Sequence, residues 1–137
     1  MAAVNEIDVL LTYDELRILL FSIGCTECEG VFMPRKEFSQ EEVLKAMHTM
    51  SGRGILIADN DVFIIREDIR EMLEVISRPA ATEELDTGYG NQMYFVYICP
   101  DRIVVSEKYW MKKDTVRLRM YNAEDYREWR RSLYDNR

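Results

Sequence analysis

The chain has 137 residues, of which 47% are hydrophobic and 31% charged, and a formal charge of −7. That length predicts a single domain, residues 1–137, whose core needs neither metal nor disulfide, and the composition excludes a disordered chain. The acidic balance argues against a general nucleic-acid binder, and no apolar run approaches the ~18 residues of a membrane helix.

The charge is uneven. Residues 1–99 carry 8 Lys/Arg against 18 Asp/Glu, whereas residues 100–137 carry 10 against 7. A solvated surface explains this as well as a basic face for an acidic partner does. Glu6 and Asp8 stand where an export signal needs basic and then apolar residues. Three cysteines cannot all pair, so the expectation is a cytosolic protein with reduced thiols.

In chain order, Thr12 and Glu15 form a capping box. It opens a helix with Leu16, Leu19, Leu20 and Ile23 on one stripe, and Gly24 ends it. A loop with Cys25, Cys28 and Pro34 follows. Ser39 and Glu42 form a second capping box, before a helix whose apolar face is Val43, Ala46, Met47 and Met50. Ile55–Ala58 and Val62–Ile65 read as a hairpin around Asp59-Asn60-Asp61. A third helix carries Ile69, Met72, Leu73 and Ile76 and stops before Pro79.

After residue 79 the period changes. Residues 82–88 offer a first strand, with "TGYGN" (87–91) as a turn beside it. Met93–Cys99 lacks alternation, which predicts a strand covered on both faces. It turns at Pro100-Asp101 into a second strand. "TVRLRMY" places Val116, Leu118 and Met120 on one face, with Thr115, Arg117, Arg119 and Tyr121 on a wet one. Asn122 caps a last helix with Tyr126, Trp129 and Leu133 in a narrow stripe. The fold class is α+β: a helical part (1–79) with a small winged-helix-like hairpin, then an antiparallel meander of three or four strands with a closing helix (80–137).

Little here points to catalysis. Cys25 and Cys28 have CxxC spacing, but a zinc site needs four ligands, and only Cys99 and His48 remain to supply them. As a redox pair they follow a helix C-terminus and neighbour Glu27 and Glu29, which raises thiol pKa values instead of lowering them. One histidine, no nucleophile elbow and no phosphate loop leave no catalytic, cofactor-binding or metal-binding residues to nominate.

Leu11-Thr12 with Glu15, Met33-Pro34 in the loop before the second helix, Arg53-Gly54-Ile55 after it, and Arg78-Pro79 before a meander follow one another at set spacings. Together these features resemble the EspG-like chaperones of type VII (ESX) secretion systems. The resemblance spans roughly residues 9–110. It implies a non-enzymatic cytosolic chaperone that holds a helical secretion substrate. The chain has about half the length of that family's larger members, which are built of two similar halves. The resemblance therefore implies a homodimer.

A holdase needs an apolar surface that tolerates water, and aromatic and Met side chains suit it. The partner-binding candidates are Tyr109, Trp110 and Met111 beside a charged turn, Tyr126, Trp129 and Tyr134 on the last helix, and Arg117 and Arg119 as polar contacts. Against each stands the plainer reading, a Trp on a helical stripe as core and a strand Arg as merely solvated. The other functional readings are a winged-helix regulator and a structural or interaction protein. Glu41, Glu42, Lys45, His48 and Thr49 would be a poor phosphate-facing set for the former.

Overall fold

A computed structural model describes residues 7–30, 37–87 and 93–135. Met33-Pro34, Glu6 and the turn proposed over 88–91 lie outside the described residues. The elements run β1 (Ile7–Thr12), α1 (Tyr13–Ser22), α2 (Gln40–Gly52), β2 (Leu56–Asp59), β3 (Val62–Ile65), α3 (Glu67–Ser77), β4 (Ala81–Asp86), β5 (Met93–Cys99), β6 (Arg102–Lys108), β7 (Thr115–Tyr121) and α4 (Ala123–Asp135).

The α+β class holds. Five strands form one antiparallel sheet in the order β1-β7-β6-β5-β4, and β2 pairs with β3 alone. The strand absent from the sequence reading is β1. Ile7–Thr12 shows no strict alternation, and Thr12 belongs to the helix cap at the same time. It nonetheless pairs with β7 from Ile7↔Met120 to Thr12↔Thr115, so the first part of the chain contributes a sheet edge.

Side chains alternate between the faces of a strand, so pairing decides which residues share a face. Ile7, Leu11, Val116, Leu118, Met120, Val104 and Tyr97 face α1 and α3, whose Leu16, Leu19, Leu20, Ile69, Met72, Leu73 and Ile76 complete the main core. Leu85, Tyr94, Val96, Ile103 and Val105 face the other way and meet Tyr126 of α4 in a second core. The strand Met93–Cys99 is thus covered on both faces, as its composition predicts, and lies between β4 and β6.

Local signals explain the ends of the elements. Both capping boxes form, at Thr12/Glu15 and Ser39/Glu42. The β2–β3 turn is tighter than expected. Asp59 pairs with Val62, so only Asn60 and Asp61 turn the chain, at φ of 49° and 63°, as a type I′ turn requires. Gly30 (φ +85°) lies against β5, where any Cβ would overlap the Phe95 ring, and the Tyr97 hydroxyl donates to the neighbouring Glu29 carbonyl. The 25–30 loop is held there.

One expectation is corrected. The second face of β7 is not wet: Thr115 is buried, and the Arg119 side chain is only 13% exposed. Arg119 is covered by α4, whose Trp129 ring lies 5.3 Å from its guanidinium carbon. Alternation along one strand cannot register a helix that returns from later in the chain.

Candidate functional site

An apolar concavity lies between α1, α2 and the β2–β3 hairpin. It has a volume of about 610 Å³. Ile18, Leu19 and Phe21 of α1 form one wall, Val43, Met47 and Met50 of α2 a second, and Leu56, Phe63 and Ile65 of the hairpin the third. That volume is in the range of sites that take a ligand or an inserted side-chain cluster.

The groove stays open because α2 is seated lightly. Of its apolar face only Met50 is fully buried, whereas Val43, Ala46 and Met47 are partly covered and Leu44 is exposed. Phe21, on the rim, is 69% exposed. Burying one such side chain contributes roughly 1.5–3 kcal/mol, a gain that these residues forgo while uncovered. The outer face of the hairpin is also apolar, with Ile57, Val62 and Ile64 exposed.

Charge distinguishes one end of the groove. Ile18 and Phe38 also line an adjoining hollow of about 300 Å³, whose walls include Asp14, Glu15, Glu42 and Lys45. The first turns of α1 and α2 carry Asp14, Glu15, Glu41 and Glu42 because acidic groups are favoured at helix N-termini. An apolar channel therefore leads into a mainly acidic one.

The residues nominated from sequence divide into two groups. Trp110 and Met111 stand in the β6–β7 turn at 84% and 63% exposure, with Tyr109 half-buried beneath them. They share no residue with the groove. Arg117, Arg119, Tyr126 and Trp129 come together elsewhere, on the sheet face under α4. Arg117 forms a two-pronged ion pair with Asp8 of β1 at 2.9 and 2.5 Å, which holds the Asp8 carboxyl below its usual range. Arg119 pairs with Glu107 at 3.3 Å, and its Nε is buried with no hydrogen-bond partner among the described residues.

Trp129 packs edge-on to Tyr94 at 5.0 Å and stacks with Tyr121 and Tyr126. Tyr126 is buried and donates to Glu83, and burial pushes its hydroxyl up to about 12. These four residues hold α4 to the sheet. Tyr134 lies half-buried near the end of the same helix.

The cysteine pair is sheltered. Cys25 and Cys28 pack against the main core, the Cys25 thiol donates to the Glu27 carbonyl, and burial pushes the Cys28 thiol up to about 11. Among the described residues no three His, Cys, Asp or Glu side chains are grouped to hold a metal. Cys99 lies apart, near the Arg78 carbonyl, and His48 sets its ring edge-on to Phe63 at 5.6 Å.

Sequence reading missed the groove. Val43, Met47 and Phe63 have the spacing of core residues, and nothing in that spacing says whether another element covers them. No protein-family model matches the sequence, and no curated protein matches it either.

Proposed function

We propose that the protein is a non-catalytic binding module whose groove between α1, α2 and the hairpin takes an amphipathic helix of another polypeptide. The observation that carries this reading is an apolar channel of about 610 Å³, walled by Ile18, Phe21, Val43, Met47 and Phe63, that continues into an acidic hollow. A helix offers such a channel apolar side chains at i, i+3, i+4 and i+7. Met47 suits the task because a thioether adapts to varied partners.

The resemblance to EspG-like chaperones supports the same occupant. In that reading the protein is a cytosolic holdase that covers the exposed helix of a type VII secretion substrate until export. The raised Cys28 thiol favours binding over chemistry, since the thiolate is the reactive form and little of it exists at neutral pH.

A photo-crosslinking side chain placed at Phe21 in the native cell tests the reading. It should capture a small helical protein that the same probe at exposed Glu124 on α4 does not. The Met47→Glu variant should abolish that capture while retaining its fold. Equal capture from both positions would overturn the reading.

A further inference from the structure

We infer that the β6–β7 turn docks the protein reversibly on an anionic lipid bilayer, with Trp110 and Met111 at the headgroup–acyl boundary and Lys108, Lys112 and Lys113 on lipid phosphates. The turn reads Lys108-Tyr109-Trp110-Met111-Lys112-Lys113, and it holds three of the chain's five lysines. Such concentration within six residues matters in a chain of charge −7, because it makes one cationic point on an acidic molecule. All three lysines are exposed, and none forms an ion pair with another described residue.

The turn is braced. The Tyr109 amide donates to the Thr115 carbonyl at 2.9 Å, and the Thr115 hydroxyl to the Lys113 carbonyl at 3.1 Å. The Tyr13 amide at the start of α1 donates to the Asp114 carbonyl at 2.9 Å, and Asp114 takes a positive φ of 53°. Beneath the tip, the Tyr109 hydroxyl reaches the Met111 sulfur at 3.4 Å. The base is tied to β7 and to the start of α1, while the Trp110 ring is 84% exposed. Ordering entropy is thus already spent before any docking.

The chemistry selects a bilayer over other anionic partners. Indole rings concentrate at the membrane interface, where an apolar body meets phosphates and water, and lysine stems lie along apolar surface with the ammonium reaching the headgroups. A nucleic-acid backbone would leave Met111 in water, whereas the acyl boundary of a bilayer buries it. An acidic protein would need a cavity to receive the projecting ring, whereas a lipid surface parts around it. No helix of the described residues is long and apolar enough to span, so the contact is interfacial. It shares no residue with the groove, and either proposal can fail alone.

Vesicle sedimentation with the full chain is the test, using phosphatidylglycerol-containing vesicles, pure phosphatidylcholine vesicles and soluble polyglutamate. The protein should sediment with the anionic vesicles at low salt and not with the neutral ones. It should be released at roughly 1 M salt, where the Debye length falls to about 3 Å. Replacing all three lysines (K108Q, K112Q, K113Q) should weaken partition roughly a hundredfold. Brominated acyl chains should quench Trp110, and W110F should remove that quenching. Absence of sedimentation with anionic vesicles, or binding that the lysine replacements leave intact, would overturn the inference. Binding to polyglutamate without binding to vesicles would replace the bilayer with an acidic polypeptide.

Discussion

Arg53, which ends α2, reaches back to Glu15 in the first turn of α1 and donates to both carboxylate oxygens, at 2.9 and 3.1 Å. The same guanidinium donates to the Leu10 carbonyl on the outer edge of β1, and the Glu15 carboxylate also accepts from the Thr12 amide at 2.9 Å. One buried carboxylate thus ties a sheet edge, a helix start and a helix end together. It also occupies part of a strand edge that would otherwise offer unpaired groups to another chain.

Arg53→Ala should cost about 2–3 kcal/mol, below the upper range for broken buried pairs because Arg53 is 39% exposed. Glu15→Gln, which keeps the cap but loses the charge, should cost less, about 1–2 kcal/mol. Urea denaturation of both variants checks the order. Two changes each below about 0.5 kcal/mol, the usual effect at an ordinary surface site, would remove the pair from the account of stability.

The two tryptophans should behave oppositely. Trp129, partly buried against the second core, should lose about 2 kcal/mol on substitution by alanine, less than a fully buried ring. Trp110→Ser should change stability by less than about 0.5 kcal/mol, since the ring is exposed. Thermal melts of the two single variants decide it. A large drop for Trp110→Ser would place that ring in the core after all.

Acid should weaken the β1 edge through Asp8. Its folded pKa is lowered, first by its hydrogen bonds to Arg117, so it binds its proton less readily when folded. Its contribution is therefore present above the unfolded value of about 3.9 and disappears as pH falls through the folded value. Asp8→Asn should flatten the stability–pH curve below about pH 5, a modest effect for a half-exposed pair. An unchanged acid limb in denaturant titrations would count against it.

The Cys28 thiol should be slow to react. With its pKa near 11, against about 8.5 for a free thiol, its thiolate fraction at neutral pH falls by roughly two orders of magnitude. A variant retaining only Cys28 (C25S, C99S) should react with iodoacetamide far more slowly folded than in denaturant. Equal rates would show an open, reactive thiol and reopen a chemical role for the CxxC pair.

Local chemistry was legible residue by residue. Both capping boxes, the hairpin turn at Asn60-Asp61, the stop before Pro79, the turn at Pro100-Asp101 and the Asn122 cap all act over a few residues. Their hydrogen-bonding groups are therefore visible in a short window. The Tyr109-Trp110-Met111 run was legible as a candidate beside the charged turn of Lys112, Lys113 and Asp114, but its exposure was not. The groove was not, because Met47 and Phe63 resemble core until α2 is seen to sit high on its neighbours.

By itself, then, the sequence determined the elements other than β1, most of their boundaries and the α+β class, since periodicity and capping are properties of neighbouring residues. Tertiary structure alone decided that Ile7–Thr12 joins β7 across more than a hundred residues of chain, and that α4 covers Arg119. It alone left Phe21, Val43 and Met47 lining an open channel. Whether an apolar side chain is covered depends on which distant segment returns to it, and no local pattern carries that information.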